Sequence, residues 1–414
     1  MTLTKRKFGH ALRHEFLLED GYVPMNHGSY GVCPRSVQAV RHEWQLKAEQ
    51  NPDRFLKFTL WPELDKIRER LSRLVHCDRD ELVFVVNASF GINSVVRSLS
   101  LKQAEKVLVF NTLYNAVDRT MAYLKDTRNV QLVMIELAYP MTDQQVYDTV
   151  KSTIDREHAK DPDVPIRMAM FDAVSSVPAV RFPFERVIQL CREHNILSVV
   201  DGAHALGQIP LDLHQADPDF FIGNCHKWLF APRGAAILYV PKRNQALVHP
   251  SVINVSYQDH SVDQSSSTFC DEFAWPGTID FTNFVCVNAA LDFRESLGGE
   301  EAIHAYCNKL ARQGGELVAK KWGTHMIENE EETLTVAMAN VQLPFENKAG
   351  LSDAIITRSF FHKLIFDHHT TGQPFKHNGH WYLRLSAQVY NELADFEHLA
   401  DAGLQVCKEL DNQQ

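Results

Sequence analysis

A lysine sits between two apolar runs in GNCHKWLFAPRGAAILYV (223–240). Lysine is among the side chains least often buried, so Lys227 needs a partner, a route to solvent or a covalent role. Upstream, Asp201 closes the apolar run ILSVVD (196–201). A carboxylate there is costly to ionise unless a cation or a protonated ring lies beside it. Taken alone, such an aspartate also suits a helix N-cap. Other polar or small residues end greasy runs in the same way: Asn87-Ala88-Ser89, Tyr114, Ser175-Ser176 and His204. Together they offer an amine for a Schiff base, a carboxylate for a pyridinium nitrogen and an aromatic ring to stack. The small and hydroxyl residues opening a helix would hold a phosphate. That combination suits pyridoxal phosphate.

The elements that must position these residues are legible between about 80 and 240. ELVFVV (81–86), KVLVF (106–110), VQLVMIEL (130–137), IRMAMFD (166–172), ILSVVD (196–201), DFFIG (219–223) and AAILYV (235–240) read as strands. Several are nearly continuous apolar runs, as strands covered on both faces should be. Helical patterns such as PFERVIQLCREHN (183–195) alternate with them. This predicts an α/β fold with a mainly parallel seven-stranded sheet and helices on both faces. The short spacing before the last strand favours a non-parallel placement for it. Ligands of such sheets bind at the carboxyl ends of the strands, which is where the polar residues cluster. Residues 35–50 and 60–76 read as helices. The texture changes after about 245, through the polar stretch SYQDHSVDQSSSTFCDEF (256–273), to a smaller α+β domain with strands at 333–343 and 381–387. The expected division is an N-terminal arm (1–25), a large cofactor-binding domain (26–275) and a small C-terminal domain (276–414).

Composition narrows the function classes. A net charge of −10 with no basic run argues against nucleic acid or an anionic membrane as the main partner. No apolar stretch approaches the length of a membrane span. The eight cysteines are scattered without a CxxC pair, which suggests reduced thiols in the cytoplasm and no zinc site. The histidines of DHH (367–369) and HNGH (377–380) lie in polar, loop-like sequence and read as surface residues, and no metal ligand set is expected.

At this point a resemblance becomes specific. VDGAHALGQIPLDL and DFFIGNCHKWLFAPRGAAILYV resemble the class V aminotransferases, fold type I of the pyridoxal-phosphate enzymes. MNHGSYGVCPRSV, NASFGIN, WPGTIDFTN and YLRLSAQVYN are similar to the branch of isopenicillin N epimerase-like proteins, cysteine desulfhydrases and hercynylcysteine sulfoxide lyases. The resemblance implies that Lys227 carries the cofactor, Asp201 meets the pyridine nitrogen and His204 lies beside the 3′ oxygen. It implies a phosphate site from Ala88 and Ser89, joined by Asn224 and His226. Ser176 is grouped with these cofactor contacts. Thr278 would reach the phosphate from a partner subunit, implying a homodimer with a shared active site. Arg384 would hold the substrate's α-carboxylate, with Asn26 as a second contact. Asn224 departs from the serine or threonine of many relatives. Tyr114 stands where cysteine desulfurases stack a histidine, and its hydroxyl could also move a proton.

The implied reaction begins with loss of the α-proton of a small amino-acid substrate and then divides. Departure of a group from Cβ gives a lyase; reprotonation at Cα gives an epimerase; reprotonation on the cofactor gives an aminotransferase. A desulfurase would need a nucleophilic cysteine on a mobile loop, and only Cys270 lies in loop-like sequence. The expected activity is a C–S β-lyase acting on cysteine or a cysteine-derived S-conjugate or sulfoxide.

Overall fold

The computed structural model describes residues 7–257 and 268–412. Most of the polar stretch after residue 256 therefore falls outside the described residues. The chain opens with a short strand, β1 (Val23–Pro24), and then builds the large sheet. Its strands are β2 (Leu82–Val85), β3 (Lys106–Phe110), β4 (Gln131–Ile135), β5 (Ile166–Asp172), β6 (Leu197–Asp201), β7 (Phe220–Asn224) and β8 (Ala236–Tyr239). Every expected run becomes a strand, in the spatial order β2-β8-β7-β6-β5-β3-β4. Only β8 runs against its neighbours, β2 and β7; all other pairings are parallel.

Successive strand residues point to opposite faces, so a strand buried along its whole length is covered on both. That holds for β2, β3, β7 and β8. Edge strand β4 is more exposed. Helices Ala88–Ser98, Asn115–Arg128, Asp143–Lys160 and Phe184–Glu193 fill the connections. Because β2 runs parallel to the central strands despite its place at one edge, the helix after it opens at the same carboxyl end as Asp201 and Lys227.

The C-terminal part holds β9 (Met338–Gln342), β10 (Thr370–Thr371), β11 (Gln373–His377) and β12 (His380–Ser386). Strands β11, β12 and β9 form an antiparallel sheet in that order. This changes the reading of HNGH: Asn378 and Gly379, at φ 47° and 82°, make the tight turn of a β11–β12 hairpin. His377 is buried, its Nε2 3.1 Å from the Tyr139 carbonyl, so it is not a surface histidine. The strand QPFKH lacks the β-branched run that would mark it in sequence.

Two apolar clusters result, one around the large sheet and one around the small sheet with helices Gly299–Trp322 and Leu393–Asp411. The N-terminal arm is tied to both. Leu12 and Phe16 join the first cluster and Met25 the second, while β1 pairs with β10.

Candidate active site

Lys227 lies in the turn after β7 and is half-buried. Desolvation pulls its amine down to about 8, and the Arg384 charge pulls the same way; Asp201 and Asp172 oppose both. Its Nζ is 3.0 Å from Nε2 of His204. Trp228 directs its indole N–H at Nδ1 of that ring across 3.4 Å. With Nδ1 accepting, Nε2 carries the ring proton and faces the lysine nitrogen, an arrangement suited to an uncharged amine. Burial pushes His204 well below the usual histidine range, which keeps the ring neutral.

Asp201 ends β6, as its sequence position suggests. Its Oδ1 accepts the Ala203 N–H at 2.9 Å, a local turn bond rather than a helix cap. Burial raises its pKa, as expected of a carboxylate with few donors. Beside it in register stands Asp172, the last residue of β5, which in the sequence reads only as the end of a strand.

The helix Ala88–Ser98 opens next to this group. Asn224 Oδ1 accepts the Ala88 N–H at 3.0 Å, and Asn87 Oδ1 accepts that of Phe90 at 2.9 Å. Among the described residues, the Ser89 N–H and hydroxyl have no protein partner, which leaves donors at a helix N-terminus for an anion. His226 has its Nδ1 3.0 Å from the Ala235 carbonyl and donates there. Its pKa is lowered to about 4, chiefly by burial, so Nε2 meets a phosphate only by taking a proton from solvent or from the anion.

Arg384, on β12, reaches the same place from the small domain. One terminal nitrogen donates to the Ser176 carbonyl at 2.9 Å and its hydroxyl at 3.2 Å. The other donates to Asn26 Oδ1 and Ser29 Oγ, both at 2.8 Å. Ser176, grouped in sequence with the cofactor contacts, is thus placed on the arginine, and Ser29 joins it unforeseen. Burial lowers the guanidinium to about 10, still fully charged at neutral pH.

Two expected residues make no side-chain hydrogen bond to this group among the described residues. Tyr114 follows β3 as the residue before helix Asn115–Arg128 and is 46% exposed. Thr278 lines a separate cavity of about 490 Å³ with Gln45, Leu56 and Asp280.

The lysine turn is braced from behind. His27 has Nε2 2.9 Å from the Lys227 carbonyl and Nδ1 2.8 Å from the Tyr390 hydroxyl, so one neutral ring ties three distant segments together. Burial lowers His27 to about 4, which keeps the ring neutral, and the Lys227 carbonyl, which can only accept, puts the proton on Nε2. Arg294 donates to the Trp228 carbonyl at 2.5 Å and to that of Gly207 at 3.0 Å. Gly31, at φ 68°, packs its α-carbon against the His226 carbonyl, where any side chain would collide.

A depressed amine, buried carboxylates at neighbouring strand ends, the unpartnered Ser89 donors at a helix N-terminus and a polar-ringed guanidinium are therefore gathered at one carboxyl edge. The sequence pattern of the family described as Aminotransferase class-V matches residues 38–399. The chain belongs to the class V aminotransferase family. Within it, the chain is 31% identical to an L-cysteine desulfhydrase-like protein, lolT1, of Epichloe uncinata, across 100% of this chain and 99% of that one. It is 30% identical to the hercynylcysteine sulfoxide lyase of Schizosaccharomyces pombe, across 95% and 96%. In three dimensions this class V chain matches a cysteine desulfurase from Thermococcus onnurineus NA1 with a TM-score of 0.76 at 16% identity, covering 97% of this chain and 99% of the other. That likeness speaks to the fold, a large mostly parallel domain with a smaller C-terminal one.

Proposed function

We propose that this chain is a pyridoxal-phosphate-dependent C–S β-lyase, cleaving cysteine or a cysteine-derived S-conjugate or sulfoxide to pyruvate, ammonia and a sulfur product. The observation that carries the lyase reading over a persulfide-forming desulfurase is the state of the thiols. Burial pushes up all eight, so none is a ready thiolate nucleophile at neutral pH. Cys270, the one thiol expected on a loop, lies in the first turn of a short helix (Phe269–Ala274) with its sulfur 3.0 Å from Arg68. Sulfur then leaves with the product instead of passing to the protein.

The residues fit the cofactor on their own chemistry. Lys227 would be the attachment point, Asp201 the partner of a ring nitrogen and His204 the neighbour of a 3′ oxygen. Ser89, Asn224 and His226 would hold the phosphate where the helix opens at Ala88. Pyridoxal phosphate, when bound, supplies the electron sink that makes the substrate's Cα–H acidic. Arg384, kept in a fork by Ser176, Asn26 and Ser29, binds the α-carboxylate and orients that C–H bond. Lys227 Nζ is the base that would take the Cα proton. The Cβ–S bond then breaks with its electron pair on sulfur, and the Tyr114 hydroxyl delivers the proton that sulfur takes. Water consumed in the release of ammonia supplies the oxygen of pyruvate.

The proposal extends to a homodimer with shared sites. Its support is that the Thr278 cavity shares no residue with the Lys227 cluster, so a phosphate contact from Thr278 calls for a second subunit. A monomer fully active on dilution would sink that part. The scattered free thiols favour the cytoplasm as its compartment. The deciding experiment is a pyruvate and ammonia assay across cysteine, cystine, cysteine sulfoxides and hercynylcysteine sulfoxide, run in deuterated water. Pyruvate release supports the lyase. Racemised, α-deuterated substrate without pyruvate would instead indicate an isopenicillin N epimerase-type activity.

A further inference from the structure

Asp172 and Asp201 end adjacent parallel strands in exact register and are 6% and 3% exposed. Residues paired across neighbouring strands project from the same face, so the two carboxyl groups share one small volume. Their surroundings differ. Asp201 has the Ala203 N–H on Oδ1. The Oδ2 of Asp172 is buried with no hydrogen-bond partner among the described residues. The other titratable groups facing Asp172 are few. Lys227 lies after β7, and Tyr139, itself buried, lies in the connection after β4. One amine cannot compensate two anions, and like charges this close cannot both ionise in a dry site.

We propose that Asp172 is a positioning residue: an un-ionised carboxylic acid beside Asp201 that keeps Asp201 the single anion of the pair. The proton belongs on Asp172 because its buried Oδ2 is reached by no donor, the carboxyl's one backbone donor being its own N–H; an oxygen lacking a donor is the poorer place for negative charge. An O–H also gives the orphaned Oδ2 something to offer its neighbour, which an ionised carboxylate lacks. The consequence for the proposed chemistry is stoichiometric. One anion faces one ring N–H, and a second buried charge does not compete with Lys227 for it. Burial and Asp201 both raise the Asp172 pKa, in agreement with the geometry.

The inference rests on the cofactor reading for its purpose but not for its test. In the full chain stripped of pyridoxal phosphate, infrared difference spectroscopy at neutral pH should show the carbonyl stretch of one buried carboxylic acid, lost in Asp172→Asn. Thermal stability gives an independent reading. An acid whose folded pKa lies above its unfolded value stabilises the fold below the ordinary aspartate range and loses that contribution as pH rises through the folded pKa. Wild type should therefore lose melting temperature as pH rises from about 4 towards neutrality and above. Asp172→Asn, neutral at every pH, should show a shallower fall and melt higher than wild type at pH 8. No buried acid band in wild type, or a band unchanged in Asp172→Asn, overturns the proposal. Should Asp172→Asn fail to fold, Asp201→Asn decides: the acid band persists there if Asp172 carries the proton and is lost if Asp201 does. Asp201→Ala separates the two readings. Undiminished retention of pyridoxal phosphate in that variant would refute Asp201 as its partner, while the presence or absence of the acid band in it still decides the protonation of Asp172.

Discussion

Two buried charge sites meet at the carboxyl edge of the large sheet, and they are built on opposite principles. Arg384 is buried but given four hydrogen bonds from Ser176, Asn26 and Ser29. It stays charged, and its fork is held in one plane. In the Lys227–Asp201–Asp172 group the carboxyls are buried, the amine is half-buried and all are sparsely bonded, so desolvation pulls the amine down and pushes both carboxyls up. A site that must recognise a fixed charge wraps it. A site that must exchange protons leaves its groups desolvated, near the point where either protonation state is accessible.

The comparison can be broken most severely at the exchanging site. Lys227→Ala should abolish turnover and the borohydride-reducible attachment of pyridoxal phosphate to the chain. Attachment recovered on another lysine, with turnover intact, would move the site elsewhere.

Tyr114 belongs to neither class, being half exposed, and its removal should cost less. Tyr114→Phe keeps the ring and deletes the hydroxyl, so turnover should fall by roughly 100- to 10,000-fold while pyridoxal phosphate binding survives. The loss should shrink for sulfoxide substrates, whose leaving group needs less help from an acid. Equal rates in variant and wild type on both substrate types would reduce Tyr114 to a stacking platform.

At the recognising site, Arg384→Lys preserves the charge and loses the fork. Two charge-assisted bonds at about 1.5 kcal/mol each correspond to a rise in KM of roughly 100-fold, with a smaller change in kcat. A KM within twofold of wild type would mean that the α-carboxylate is held by something else.

The mildest probe uses pH alone. Only the neutral amine attacks pyridoxal phosphate, so capture of added cofactor by the stripped chain should quicken about tenfold per pH unit. It should then level off at about 8, where the desolvated amine titrates. Acceleration continuing through the ordinary lysine range would show that the amine is not desolvated before the cofactor arrives.

What was legible beforehand follows the range of the forces involved. The seven strands were visible because burial on both faces demands continuous apolar runs, a property of neighbouring residues. Lys227 and Asp201 were visible because each stands as a polar break at the end of such a run. Strand β11 escaped because it is short and polar, and its burial comes from Tyr139 and β12, not from its own composition. Resemblance supplied Arg384 and Asn26 as separate contacts; only the folded chain joins them through one guanidinium nitrogen, 358 residues apart.

The sequence by itself therefore determined the sheet, the family and the strand ends at which chemistry can occur, since these depend on local pattern and residue type. Tertiary structure alone decided which groups face one another. It set Asp172 beside Asp201 through the β5–β6 register and turned Ser176 and Ser29 onto Arg384. It also braced the Lys227 carbonyl with a histidine 200 residues away. The physical reason is that a pKa or a hydrogen bond depends on distance in space, and chain separation carries no information about that until the two layers have packed.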